Sequence, residues 1–163
     1  MNDNELFETK VRAFTTHGVT KKKYLLKPEY QEQALKQALK HAKQLAKHKE
    51  IAQVHLIGSI LDKQLGKYAL DSRGRSDYSD IDLFVVTSKK LKEFSLKDVG
   101  LVKKKYSENN KTYYRVSVAD ENGDVLRVLD RFSIDLWLVT PYTFKEVMRR
   151  VPTILDRKII VKG

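Results

Sequence analysis

Apolar residues recur at Leu35, Ala38, Ala42, Leu45 and Ala46, the three- and four-residue spacing of one helical face, and Pro28 suits a first turn. The pattern predicts a long amphipathic helix over 28–49. Its other face carries Lys36, Lys40, Lys43 and Lys47, a solvated stripe or a phosphate-touching one. The preceding Lys21, Lys22 and Lys23 read as loop or as a ragged helix start. The run 51–57 is short, apolar and partly β-branched, hence a buried strand ended by Gly58 and Ser59. From Ser59 the spacing of Leu61, Leu65 and Tyr68 predicts a second helix, with Asp62 three residues after Ser59 as in a capping box. The polar, glycine-bearing stretch 71–79 predicts a loop, and 80–87 a strand that opens on two acids.

The lysine-rich segment 88–105 suggests a short helix near 90–93 and then extended chain. Alternation over 113–119, the turn sequence Glu121-Asn122-Gly123-Asp124 and the returning 125–129 predict a β-hairpin. An apolar strand follows over 132–139, interrupted by the single acid Asp135; a short helix is expected over 141–150 and a closing strand over 158–161. This order predicts an α/β (α+β) fold, a mixed β-sheet with helices packed against it and an inserted hairpin. Neither internal repeats nor low-complexity linkers occur.

A length of 163 residues fits one domain, and 41% hydrophobic residues are enough for a packed core. With 32 Lys and Arg against 21 Asp and Glu, the net charge of +11 favours polyanionic partners such as nucleic acid, nucleoside triphosphates or anionic membrane, without separating them. The absence of cysteine excludes disulfides, thiol catalysis and thiolate metal sites. Residues 1–14 lack the cationic start and apolar core of a signal peptide, and no apolar run approaches the roughly 18 residues a membrane span needs. The expectation is a soluble, cytoplasmic protein with no membrane partner.

Three features call for a joint explanation: Gly58-Ser59 at a strand-to-helix turn, Asp80 and Asp82 at the head of the next strand, and Asp135 within a third. Strand residues two apart share a face, so Asp80 and Asp82 converge from one side of a sheet. Like charges held together raise each other's pKa unless a cation lies between them, and carboxylate oxygens suit a hard divalent ion. On the strand 132–139, Ser133, Asp135 and Trp137 share one face, so Asp135 meets the pair if the two strands are neighbours. Three carboxylates can hold two Mg²⁺ or Mn²⁺ ions about 3.5–4 Å apart, an arrangement used for phosphoryl-type transfer. A glycine and the opening of a helix after Ser59 would receive phosphate oxygens.

These residues, in the order Val54-His55-Leu56-Ile57-Gly58-Ser59, then Ser79-Asp80-Ile81-Asp82-Leu83-Phe84-Val85-Val86, then Ser133-Ile134-Asp135-Leu136-Trp137, resemble the signature of the DNA polymerase β-like nucleotidyltransferase superfamily, in its small, minimal type. The resemblance covers about 51–140, and 154–161 is similar to the closing strand of small members. It implies a palm-like nucleotidyltransferase fold in which 1–27 is an N-terminal extension, 28–49 the amphipathic helix and 51–140 the catalytic core. It further implies metal-dependent transfer of a nucleoside monophosphate from a nucleoside triphosphate to an acceptor hydroxyl, with pyrophosphate leaving. Asp80, Asp82 and Asp135 would ligate metal, Asp135 also being a candidate base, and Gly58 and Ser59 would contact the triphosphate. Arg73 and Arg75 sit in a stretch similar to the family's Arg-Gly loop and are candidate phosphate contacts. The acceptor is open between RNA, DNA, protein and a small molecule, and its contacts would come from the hairpin, a second subunit (a homo-oligomer) or a partner protein.

Each feature also has a plainer explanation. Ser59 can be an ordinary helix cap, Asp135 a salt-bridge partner of Arg131 or Arg127, Arg73 and Arg75 loop solubilisers, and Lys63 and Lys67 solvent-facing. Trp137 is a packing residue or a base-stacking one. Lys103, Lys104 and Lys105 with Tyr106, Tyr113 and Tyr114 match either a lysine-rich strand pair or a single-stranded nucleic-acid surface. Two alternative functions follow: a non-enzymatic binding module of the same fold, antitoxin-like, or a basic nucleic-acid-binding protein.

Overall fold

A computed structural model describes the backbone of residues 2–14, 20–69, 76–88, 101–106 and 114–163, and the side chains of 2–8, 10, 22–68, 78–88 and 115–163. The expected helix forms as Pro28–Ala46, called α2 here because a short turn of helix, α1 (Asp3–Leu6), precedes it. Ala34, Ala38, Ala42 and Leu45 bury its apolar stripe, and the three alanines let the helix axis come close to the sheet beneath. Gln31 is buried beside them and staples the helix to its neighbours, its Nε2 donating to the carbonyls of Leu26 (3.2 Å) and Leu65 (2.8 Å).

The larger sheet runs in the order β11 (Ile159–Lys162), β3 (Ile51–Ile57), β6 (Ile81–Thr87), β10 (Phe132–Val139), β8 (Tyr114–Val118), β7 (Leu101–Tyr106), with β9 (Arg127–Val128) pairing β10 beside this path. It is mixed: β6 and β10 are parallel, the neighbouring pairs antiparallel. Helices pack against both of its faces. Val54, Leu56, Leu83, Val85, Leu136 and Leu138 point to the α2 face and are buried in the larger core there. The alternate residues Ile57, Phe84, Val86 and Val139 point the other way, under α3 (Phe144–Arg150), whose Val147 is buried among them. Asp82 and Asp135 lie on this second face, toward the strand ends.

Three expectations change. No helix follows Ser59: a single 3₁₀ turn, Ser59–Asp62, ends at Lys63 in the left-handed region (φ 56°), and no side-chain cap forms at its start. The chain then enters β4 (Gly66–Ala69), drawn in by the bond of the Leu65 N–H to Gln31 Oε1 (3.3 Å) and that of Leu26 N–H to the Leu65 carbonyl (3.0 Å). Ladder bonds on both sides of β4 outweigh the helical spacing of Leu61, Leu65 and Tyr68. Gly66 is required there, because a Cβ would strike the Tyr24 carbonyl. Second, 21–23 is strand: β1 (Phe7–Phe14) and β2 (Thr20–Leu26) join β4 and β5 (Ser76–Tyr78) in a smaller antiparallel sheet. The end of the expected loop 71–79 is therefore strand too.

Third, the turn after Val118 forms, Asp120 Oδ1 accepting from the N–H groups of Asn122 and Asp124 (2.9 Å each), but the chain returns only as far as Leu126, whose N–H donates to the Val118 carbonyl at the end of β8 (2.8 Å). One bridge, Ala119 to Val125, is followed by β9, which turns at Leu129 and Asp130 (φ 53° and 58°) to pair with β10. The hairpin is therefore β9–β10, while β8 pairs β7 and β10. The N-terminal segment is tied to the rest of the chain through Asp3. Asp3 accepts bonds from Lys67 Nζ (2.7 Å), Tyr78 Oη (3.1 and 3.2 Å) and Arg131 Nε (3.2 Å), linking α1 to β4, β5 and the β9–β10 turn. The helix expected near 90–93 lies outside the described residues. Among the described residues, no helix is long and apolar enough to cross a membrane.

Candidate active site

In parallel register Asp135 stands opposite Asp82, and in the antiparallel ladder beyond it Ser117 stands opposite Asp135. One row across the face thus reads Ile57, Asp82, Asp135, Ser117, and the next His55, Phe84, Trp137, Arg115. Apolar α3 side chains cover part of this face, and the carboxylates occupy the part toward the start of β6. Strand alternation alone puts both acids on the same side; their meeting depends on β10 being β6's neighbour.

Each carboxylate has a partner. Ser133 Oγ donates to Asp80 Oδ1 (2.8 Å), and Ser117 Oγ donates to Asp135 Oδ1 (2.7 Å). Arg115 Nη2 reaches Asp82 Oδ1 at 3.4 Å and Asp135 Oδ2 at 3.5 Å, so one guanidinium is shared by the two acids. The same guanidinium lies over the Trp137 ring, 4.8 Å from its centre. Asp135 is 6% exposed and the Asp82 side chain 25%.

Burial pushes the Asp82 carboxyl up to about 7; Arg115 opposes the rise, the charges of Asp80 and Asp135 add to it, and a hydrogen bond from Trp137 opposes it. Gly58 closes the site from β3. Its backbone (φ 89°, ψ −168°) lies in a region open to glycine, and a Cβ there would come within 3.2 Å of Asp82 Oδ2. The peptide at Gly58 therefore runs against the carboxylate. Ser59 follows at the start of the 3₁₀ turn, half-buried, with no helix dipole behind it.

The chain thus brings Gly58, Asp82 and Asp135 together, with Asp80 just ahead of β6 and bonded to Ser133, while Arg73 and Arg75 lie outside the described residues. The salt bridge of Asp135 is to Arg115 instead of Arg131 or Arg127: Arg131 is turned to Asp3, and Arg127 donates to the Arg131 carbonyl. Lys67, expected to face solvent, bonds Asp3, and Lys63 is exposed. The side chains at Lys103, Lys104, Lys105, Tyr106, Tyr113 and Tyr114 lie outside the described ones. Arg115, Ser117 and Ser133 were not singled out from sequence. The alternation of polar Arg115 and Ser117 with Val116 and Val118 was the available signal, silent about which strand would lie alongside.

Among the described residues, no three His, Cys, Asp or Glu side chains stand together as a ready-made metal-holding group. The donor set nonetheless suits a hard cation: two in-register carboxylates already share one positive group, and a third, Asp80, stands two residues before Asp82, just ahead of β6. Comparison with protein-family models, with curated proteins and with solved structures found no match in any of the three.

Proposed function

We propose that this chain is a metal-dependent nucleotidyltransferase with a palm-like core, moving a nucleoside monophosphate from a nucleoside triphosphate to an acceptor hydroxyl. The observation that supports the reading most is the register of Asp135 against Asp82, with Asp80 two residues before Asp82, just ahead of β6. Asp82 and Asp135 would hold a divalent ion, and Asp80 would join them by leaving Ser133. Mg²⁺ bound there would supply charge neutralisation on the phosphates and an acidified acceptor hydroxyl.

The acceptor oxygen forms a bond to the α-phosphorus as the bond to pyrophosphate breaks in line, and the hydroxyl proton passes to Asp135, which Ser117 holds in orientation. Gly58 and Ser59 contact the triphosphate through their backbone and hydroxyl, without help from a helix. The basic balance of the chain, +11, favours this polyanionic substrate.

Calorimetric titration of ATP and of GTP tests the reading, in wild type and in Asp80→Asn/Asp82→Asn, each with Mg²⁺ and with chelator. Binding that needs Mg²⁺ and disappears in the double variant is expected. Undiminished binding in the variant, or none to either triphosphate in wild type, would refute it. One observation favours a second reading, a binding module of the same fold: Arg115 bridges the Asp82 and Asp135 pair and offsets part of its charge. That module would bind neither Mg²⁺ nor triphosphate.

A further inference from the structure

We propose that Arg115 is a built-in counter-ion that occupies the divalent-cation position between Asp82 and Asp135, and that cation binding displaces it from both carboxylates and from the face of Trp137. The inference rests on the metal-dependent reading above. One guanidinium nitrogen reaches both acids, at 3.4 and 3.5 Å, well beyond the roughly 2.7–2.9 Å of a tight charge-assisted bond. These are contacts a dication with stronger charge and shorter oxygen distances can replace. Arg115 projects from β8 beside the row that holds the acids, and its side chain is 18% exposed, so a path toward solvent is open to it. Its stack on the indole orients the guanidinium plane while it spans the pair.

A like-charged occupant lowers the affinity of the pair for metal, and in exchange holds the two acids in place before metal arrives. The reporter is already present, because Trp137 is the only tryptophan in the chain. Arg115 acts here as a positioning residue, through the acids and not on substrate.

The test uses the full chain with the metal ion alone. Mn²⁺ affinity is measured by counting free Mn²⁺ by electron paramagnetic resonance, and Trp137 emission is followed during a Mg²⁺ titration, in wild type, Arg115→Met, Arg115→Lys and Asp82→Asn. The expected result is Mg²⁺-dependent emission change in wild type, at least tenfold tighter Mn²⁺ binding without that change in Arg115→Met, and lost binding in Asp82→Asn. Arg115→Lys should keep the competing charge but lose the flat stack, giving near wild-type affinity and a smaller emission change.

Metal binding in wild type with unchanged Trp137 emission would overturn the inference while leaving the metal reading intact, and needs no variant to fold. Equal or weaker Mn²⁺ binding in a folded Arg115→Met would overturn it as well. If wild type and Arg115→Met both fail to bind Mn²⁺, the metal reading falls and takes this inference with it.

Discussion

A carboxylate kept against its own solvation should make the metal-free protein less stable than it needs to be, and Asp82→Asn exposes that cost. In the folded chain the Asp82 carboxyl is pushed up to about 7 from an ordinary 3.8, burial being the largest cause. Because the folded state binds this proton more tightly than the unfolded one, its contribution is fully present below about pH 4 and is lost as pH rises through about 7. At about 1.36 kcal/mol per pH unit between the two values, the ceiling of that loss is about 4 kcal/mol. The side chain is one-quarter exposed, and an amide gives up part of the pairing with Arg115, so the expected net gain at pH 9 is about 1–3 kcal/mol. Only below about pH 4, where the unfolded acid is protonated as well, should acid and amide be near equal in stability; by pH 5 the Asn variant should already lead, and its lead should widen as pH rises to about 7. The assay is urea unfolding of both proteins from pH 5 to 9 with chelator throughout. A wild-type to Asn difference that stays constant over that range, or an Asn variant less stable than wild type at pH 9, would refute the burial argument.

Gly58→Ala should cost about 1–3 kcal/mol through its backbone conformation alone and push Asp82 from its place, since the new Cβ meets Oδ2 at 3.2 Å. Urea unfolding reads the first effect and Mg²⁺-dependent triphosphate binding the second; a neutral result on both would mean the close approach is not needed. Asp3→Ala removes the acceptor shared by Lys67, Tyr78 and Arg131 and should destabilise by about 1–3 kcal/mol at pH 7. Burial works to raise the Asp3 carboxyl, but the bonds from Lys67, Arg131 and Tyr78 outweigh it and hold it below its ordinary 3.8. That stability is therefore present above pH 4 and lost as pH falls through the lower folded value. The gap between wild type and Asp3→Ala should close toward pH 2 in denaturant midpoints, and a gap that widens there would contradict the assignment.

The elements that could be read directly were those whose periodicity and burial agree. The periodicity over 28–49 and the apolar runs 51–57 and 132–139 are of this kind: α2 forms from Pro28 and ends at Ala46, three residues short, and β3 and β10 form where expected. Alternation likewise put Asp80 with Asp82, and Ser133, Asp135 and Trp137, on defined faces, because a strand's period is two whatever surrounds it. Where two patterns competed, tertiary structure decided. Leu61, Leu65 and Tyr68 satisfy a helical face, yet β2 and β5 offer ladder bonds on both edges of 66–69, and a four-residue strand won. The stretch 125–129 has the pattern of a hairpin return, but it pairs back only through Val125 and Leu126 before β10 takes up Arg127 and Val128.

The site divides the same way. Which residues are acidic, and on which side of their own strand they stand, is local information. That Asp135 faces Asp82 in register, that Arg115 comes from β8 to share them and that Gly58 closes against the carboxylate all depend on which strand lies beside which. Strand order is set by burying the apolar faces of the whole sheet under α2 and α3 at once, a balance summed over distant residues that no local window contains.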